Sequence, residues 1–193
     1  MEAFESFVAL ALETEGLVVS EALKFDIARQ TTSGLQTHGY EVDLVGARQN
    51  LLVLASVKSF FGSRGVGADE VAGTSNRAVL NRRYLLLNDP AIRNRVLELA
   101  AERFGYKPDQ IELRLYVGKF AGKPGTHDVR IREWCAKQHA GRGPIKVIGV
   151  DEVVARVREV ATRKQYRDNA ALVALKVLDA AGALRPLDSE ITS

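Results

Sequence analysis

The chain contains few of the residues from which disulfide scaffolds and zinc modules are built. Its 193 residues include one cysteine, Cys135, and three histidines. A single cysteine excludes an intrachain disulfide and is consistent with a reducing cytoplasm. His139 lies four residues after Cys135, but a zinc site would need two further ligands. Long apolar runs and a basic-then-apolar leader pattern are also missing, so we expect a cytoplasmic protein with no membrane partner.

What remains is the composition of an ordinary globular domain. Hydrophobic residues make up 46% of the chain and charged residues 26%, which is enough apolar surface for a sizeable core. We therefore expect one domain over residues 1–185, followed by a short tail over residues 186–193. The net charge is only +3, yet the isoelectric point near 9.1 is basic. A basic balance permits nucleic-acid binding without requiring it.

Predicted strands alternate with predicted helices along the chain. Asp89 and Pro90 form a helix start, and Gly105 is expected to end that helix. Asp151 and Asp168 are expected to cap the last two helices. The expected strands cover residues 17–20, 22–27, 40–45, 51–58, 111–117 and 146–150, the expected helices include residues 3–15 and 76–86, and a polar turn is expected over 30–38. This alternation favours an α/β fold with helices packed on a sheet.

The segment Gly39–Lys58 organises the rest of the chain. It predicts two adjacent strands joined by a polar turn, with Tyr40, Val42 and Leu44 alternating with polar residues. Glu41 and Asp43 would then share one face of their strand, and Ser56 and Lys58 one face of the next. If these faces coincide, carboxylates meet a lysine at the end of an apolar sheet. Such a site suits Mg²⁺ beside a cation that stabilises phosphoryl charge.

The sequence from Asp43 through a short turn and an apolar strand to Ser56-Val57-Lys58 resembles the core of the PD-(D/E)xK nucleases, the restriction endonuclease-like superfamily. The resemblance covers residues 1–85, and residues 86–185 would complete the fold. It implies a mixed central sheet flanked by helices, with Asp43 as a Mg²⁺ or Mn²⁺ ligand and Lys58 as the catalytic lysine. Ser56 stands where the superfamily normally has Asp or Glu.

Other carboxylates could replace the acid that Ser56 lacks. Some restriction enzymes of the superfamily carry Ser-Val-Lys and supply the carboxylate from a later helix. Asp69 and Glu70 lie at a suitable distance, with eleven residues between Lys58 and Glu70. Glu41 could be a second ligand or simply face solvent. For Asp43 and Lys58 themselves, the alternative is an ion pair across two strands.

The first predicted helix offers a further acidic candidate. The pattern Glu5-x-x-Val8-x-x-x-Leu12-x-x-x-Gly16 resembles the first helix of Holliday-junction resolvases and related members of the superfamily. The resemblance implies that Glu5 reaches the metal site as a catalytic residue, and Glu15 is the second choice. The alternative is that both are solvated helix glutamates.

Basic residues after Lys58 are candidates for contact with DNA phosphates. One is on a Gly/Ser-rich loop, two are near the end of the helix predicted over 76–86, and three surround Trp134. Trp134 could stack on a base or enter the core. The candidates are Arg64, Arg82, Arg83, Arg130, Arg132 and Lys137.

Two classes of function follow from the resemblance. The first is a Mg²⁺-dependent DNA endonuclease that hydrolyses phosphodiester bonds in restriction, repair or mobile-element processing. The alternative is a nuclease-like module that lacks catalysis because of Ser56 and binds nucleic acid or serves as a protein-interaction subunit. Many superfamily members act as homodimers, so a homodimer is also an expectation.

Overall fold

A mixed five-stranded sheet forms the centre of the computed structural model, which describes residues 2–31, 34–161 and 169–184. The strands of this sheet are β1 (Val18–Thr31), β2 (Gly34–Arg48), β3 (Leu51–Lys58), β4 (Ile111–Val117) and β7 (Lys146–Gly149). Their order is β1-β2-β3-β4-β7. The first three strands are antiparallel, and β4 and β7 run parallel to β3. A separate two-stranded sheet pairs β5 (His139–Ala140) with β6 (Gly143–Pro144).

Helices cover both faces of the sheet, which confirms the predicted α/β fold. They are α1 (Ala3–Thr14), α2 (Ala68–Val71), α3 (Ala78–Asn81), α4 (Leu85–Asn88), α5 (Pro90–Phe104), α6 (His127–Ala136), α7 (Val150–Ala161) and α8 (Ala170–Ala180). Short 3₁₀ turns occupy Arg82–Tyr84 and Pro108–Gln110. No helix among the described residues is both long and apolar enough to cross a bilayer.

The sheet separates two apolar cores. On one face, Ile92 of α5 and Ile131 of α6 belong to a buried cluster with the outer half of the β1–β2 hairpin. On the opposite face, Val8 of α1, Val157 of α7 and Leu172 of α8 form the second cluster. Strands β3 and β4 contribute alternate side chains to both, as the period of two requires. The catalytic motif predicted in β3 therefore lies in a strand that is buried on both faces.

The helix α5 has the ends that the sequence predicts. The Asp89 carboxylate accepts hydrogen bonds from the backbone N–H groups of Ala91 and Ile92, at 3.0 and 3.2 Å. Gly105 ends the helix with a φ of 72°, a left-handed conformation that glycine adopts without a steric penalty. At α8 the observed cap is Asn169. Asp168 and the tail at 186–193 lie outside the described residues.

The predictions of a turn over 30–38 and of one helix over 76–86 are wrong. The turn expected over 30–38 is mostly strand, because β2 begins at Gly34 and Leu35 pairs with Gln30. Gln36, Thr37 and His38 are exposed on a long hairpin, so they look like loop residues in the sequence. The helix expected over 76–86 is divided into α3, a 3₁₀ turn and α4.

Strand β2 changes faces at Asp43. Tyr40 and Val42 contact the α5 side of the sheet, Leu44 belongs to the α1 side, and Val45 returns to the α5 side. The predicted alternation of Tyr40, Val42 and Leu44 on one face is therefore wrong. On the paired strand, Ala22 lies between the partners of Val42 and Leu44 and has a φ of 49°. A left-handed alanine in a strand is uncommon, and it marks a distortion of both strands beside the Asp43 carboxylate.

A buried ionic network lies on the α1 side of β4. Arg114 donates two hydrogen bonds to the Glu15 carboxylate, each 2.9 Å long, and its Nε donates to Glu112 at 2.5 Å. Lys146 and Arg156 add ion pairs to Glu112 and Glu15, respectively. Glu15, the second-choice metal ligand, is therefore bound to arginines on the face opposite to Ser56 and Lys58.

This network makes the free energy of unfolding depend on pH. Burial raises the pKa of Glu112, but the hydrogen bonds and charges of Lys146 and Arg114 outweigh burial and lower that pKa below its ordinary value. A carboxyl whose pKa is lowered by folding stabilises the fold above the unfolded-state pKa, about 4.3, and loses this contribution as pH falls towards the folded-state pKa.

We therefore expect Glu112→Gln to lower the free energy of unfolding at pH 7 by about 3–5 kcal/mol, because Arg114 and Lys146 lose a buried partner. The variant should also lose less stability than the wild type between pH 5 and pH 3. Urea unfolding at several pH values measures both effects. An equal acid dependence in the two proteins would contradict the role assigned to Glu112.

Candidate functional site

Three donors converge on one carboxylate oxygen at the end of β3. Asp43 Oδ2 accepts a hydrogen bond from the backbone N–H of Val57 at 2.5 Å, from Ser56 Oγ at 3.3 Å and from Lys58 Nζ at 3.3 Å. The side chains of Asp43 and Lys58 are 19% and 18% exposed, so both are reachable from solvent. The predicted proximity of Asp43, Ser56 and Lys58 is confirmed, and their chemical roles stay predictions.

The arrangement has a chemical consequence for each side chain. Among the described residues, the hydrogen bonds that reach this carboxylate all go to Oδ2, so Oδ1 is the oxygen available to a ligand. Lys58 supplies a positive charge in direct contact with the acid. Ser56 supplies a neutral hydroxyl where the PD-(D/E)xK pattern has a second carboxylate, so the Asp43 site carries one negative charge fewer.

The first turn of α1 borders the same end of β3. Ser59 Oγ donates to Glu2 Oε2 at 3.0 Å, and Phe4 meets Phe61 edge-to-face at a centroid distance of 5.4 Å. Glu5 accepts a hydrogen bond from the backbone N–H of Glu2 at 2.9 Å and so closes a capping box. The structure therefore places Glu5 near the strand end, one turn from the contact with Ser59, and gives it a capping role.

The backbone after Lys58 is strained and tightly held. Phe60 has a φ of 46°, which is rare for a bulky side chain. Its ring packs against the α5-side core and lies 5.9 Å from the Arg83 guanidinium. The N–H of Gly118 donates to the carbonyl oxygen of Lys58 at 2.8 Å. A Cβ atom on residue 118 would lie 2.4 Å from the backbone carbonyl oxygen of Ser59. This close approach holds the backbone of the segment that contains Lys58 in place.

Each of the other carboxylates that the resemblance offers as a metal ligand lies beside a cation. The pairs are Glu41 with Lys24 at 3.6 Å, Asp69 with Arg130 at 2.6 Å, and Glu70 with Arg64. Glu70 is 5% exposed and lines a polar cavity with Asp69, whereas Ser56 and Lys58 line a different cavity. No group of three or more His, Cys, Asp or Glu side chains within the described ranges converges as a metal site.

The predicted DNA-binding residues fall into two groups. Arg64 and Arg130 are paired as described above, and Arg132 contacts Glu152 at 2.5 Å. Arg82, Arg83 and Lys137 are exposed and make no ion pair with a carboxylate in the described part of the chain. The first two line the cavity of Ser56 and Lys58. The structure thus brings Arg82 and Arg83, but not the α6 cations, to the predicted catalytic motif.

The aromatic and thiol groups of α6 are core residues. Trp134 is partly buried against the α5-side core, as the second of the two sequence interpretations expected. Cys135 is fully buried, and burial raises the pKa of its thiol to about 12. His127 has a structural role that the sequence did not reveal, since its Nδ1 accepts a hydrogen bond from the N–H of Ala68 at 3.0 Å.

Tyr40 and His38 are residues near the site that sequence reasoning missed as functional candidates. Both line a depression that continues from Lys58 along β2. The available signal was an aromatic residue beside the Glu41–Asp43 segment, but its neighbour His38 falls in the stretch interpreted as a turn.

Comparison with known proteins leaves the function open. No family model matches the chain, and no curated protein matches it. A solved structure described as a protein of unknown function, AF1548, aligns with 93% of this chain and 77% of its own chain, at 14% identity and a TM-score of 0.35. A TM-score of this size carries no argument about fold or function.

The three donors at Asp43 predict different stabilities for two variants. Asp43→Ala removes the acceptor of the buried Val57 N–H and the partner of Lys58, so we expect the free energy of unfolding to fall by about 1–3 kcal/mol. Asp43→Asn keeps a carbonyl oxygen for these donors and should lose less. Urea unfolding followed by circular dichroism measures both, with Ser56→Ala as the control for a single lost hydrogen bond. Equal losses in the two Asp43 variants would disprove this account.

Proposed function

We propose that the chain is a Mg²⁺-dependent DNA endonuclease of the PD-(D/E)xK type, which hydrolyses phosphodiester bonds. The observation that supports it is the convergence of the Lys58 ammonium group and the Ser56 hydroxyl on Asp43 at the end of a buried strand. An acid and a lysine in contact at a solvent-reachable strand end suit a substrate that carries negative charge. The proposal includes a cytoplasmic location, where the single buried thiol of Cys135 stays reduced.

The residues of the site fit a hard divalent ion. Mg²⁺ usually binds through one or two carboxylates together with waters and substrate phosphate oxygens. Asp43 would hold the ion, and Glu41, which lines the cavity of Ser56 and Lys58, could join after exchanging Lys24, whereas Glu70 pairs with Arg64 in a separate cavity. When bound, such an ion activates a water and neutralises phosphate charge.

The protein's own groups would supply the remaining steps. The protonated Lys58 donates hydrogen bonds to a phosphoryl oxygen and stabilises the charge that develops there. Ser56 and the N–H of Val57 hold the Asp43 carboxylate in one orientation, so it need not reorganise during the reaction. Arg82 and Arg83 are exposed at the same cavity and would bind the adjoining phosphates.

A second candidate function is supported by the charge pairing of the other acids. Ser56 is neutral, and Glu41, Asp69 and Glu70 each lie beside a cation, so within the described part of the chain Asp43 is the one acid that forms an ion pair with Lys58. A chain with this site could bind nucleic acid through Arg82 and Arg83 without cutting it. A protein-interaction subunit and a homodimer remain further proposals that follow from the resemblance alone.

The endonuclease proposal predicts that purified protein cuts plasmid DNA in Mg²⁺ or Mn²⁺ and that EDTA abolishes the cutting. Asp43→Asn or Lys58→Ala should lower the rate by at least about 100-fold, the usual size of a lost charged catalytic group. Arg95→Ala is a suitable control because Arg95 is exposed on α5 and, among the residues that the structure describes, forms an ion pair with Glu98 alone. Full cutting by both site variants would exclude this site, and no cutting by the wild type would favour the binding module.

Ser56→Glu tests whether the serine limits metal binding. A second carboxylate beside Asp43 should raise Mn²⁺ affinity by about 10-fold or more, because ligand charge sets the affinity of such sites. Calorimetric titration measures the affinity, and Ser56→Ala is the matched control without the added charge. Cleavage should increase in an active enzyme and appear anew in an inactive one. Unchanged metal affinity would show that position 56 does not face the ion.

A further inference from the structure

A continuous depression, here called the β2 trough, leads away from Lys58. It consists of two cavities of about 140 and 580 Å³ that share Tyr40, Arg82 and Leu85 in their linings. The smaller cavity reaches Ser56 and Lys58, and the larger one extends to His38 and the start of α5. One wall is β2, and the opposite wall is the segment from Arg82 to Leu86. The β2 trough therefore provides a path along β2 for a polymer that is bound at Lys58.

Two exposed arginines supply positive charge along this trough. Arg82 and Arg83 are exposed and form no ion pair with a carboxylate among the residues described. The acids that line the trough are engaged elsewhere, since Glu41 pairs with Lys24 and the Asp89 carboxylate caps α5. With Lys58 at one end, the lining is matched to a polyanion.

Apolar and aromatic side chains also line the walls of the trough. Tyr40 is half-buried there, and Leu85 and Leu86 lie on the opposite wall. A duplex presents its phosphates outwards and keeps its bases stacked inside, so a duplex backbone gains nothing from such a lining. An unpaired strand can stack a base on an aromatic ring while its phosphates contact arginines.

We propose that the β2 trough binds a single strand of DNA, with a base stacked on Tyr40 and the flanking phosphates on Arg82 and Arg83. That this DNA strand leads towards Asp43 and Lys58 is the part of the proposal that rests on the proposed nuclease function. Binding itself requires no metal ion, because none of Tyr40, Arg82 and Arg83 belongs to the predicted metal site.

The test is fluorescence anisotropy of a labelled oligothymidylate and of a duplex of equal length, both in EDTA. We expect the single strand to bind more tightly than the duplex. Tyr40→Ala should weaken single-strand binding by about 5- to 150-fold, the range for one lost base stack, and Tyr40→Phe should retain it. The double change of Arg82 and Arg83 to Ala should reduce the slope of log affinity against log salt by about 1.4, since each single-strand phosphate contact contributes about 0.7. Arg95→Ala serves as the control.

The outcomes separate this proposal from the nuclease proposal. The proposal of single-strand binding in the β2 trough would be contradicted by any of three results. These are equal affinity for single strand and duplex, unchanged affinity in Tyr40→Ala, and no DNA binding. If Tyr40→Ala does not fold, the comparison of the Arg82/Arg83 double variant with the wild type decides, since an unchanged salt slope overturns the proposal. Single-strand binding that depends on these residues without any cleavage would support the trough and contradict the nuclease. Cleavage without a preference for single strands would support the nuclease proposal and contradict single-strand binding in the trough.

Discussion

The antiparallel register of β2 against β3 is the constraint on which the candidate site depends. Leu44 pairs with Ala55, and this pairing puts Asp43 beside Ser56 and within reach of Lys58. A slip of one residue would turn the side chains of β3 to the other face and separate the acid from the lysine. Burial of β3 on both faces opposes such a slip, and the turn is closed by Asn50, whose φ of 62° suits asparagine.

The distribution of ion pairs divides the molecule into two electrostatic regions. On the α1 side, Glu15, Glu112 and Arg114 form ion pairs with one another inside the fold. On the α5 side, Arg82 and Arg83 remain exposed beside Lys58 without a described acidic partner. The first arrangement stabilises the fold, whereas the second leaves a surface that favours anions. The two regions therefore differ in whether their arginines are paired with carboxylates or exposed to solvent.

Short-range patterns in the sequence predicted much of this structure. The apolar run of β3, the Asp89 cap and the Gly105 stop each involve a few neighbouring residues, so each could be predicted directly from the sequence. Features that depend on residues far away in the sequence could not be predicted in this way. The switch of faces at Asp43 involves the left-handed backbone of Ala22, and the pairing of Glu15 with Arg114 joins residues 99 positions apart.

The acidic candidates show the same limit within the site. Asp43 and Lys58 lie in adjacent strands joined by a short turn, so the sequence places them close together, although the face that Asp43 occupies depends on the distortion of β2 at Ala22. The positions of Asp69 and Glu70 depend instead on how the loop after Lys58 folds back and which arginines it meets, Arg64 and Arg130. Burial of Glu70 in a separate cavity is a tertiary effect that spacing from Lys58 does not encode.

The hairpin topology also affects the entropy that is lost when each ion pair closes its loop of chain. The contact of Asp43 with Lys58 closes a loop of 15 residues, whereas that of Glu15 with Arg156 closes one of 141. Since closure entropy grows with the logarithm of loop length, the longer loop is more unfavourable by about 2 kcal/mol. The contact between the acid and the lysine is therefore local in the chain, whereas the ionic network joins segments that are far apart in sequence and has a larger entropic cost on closure.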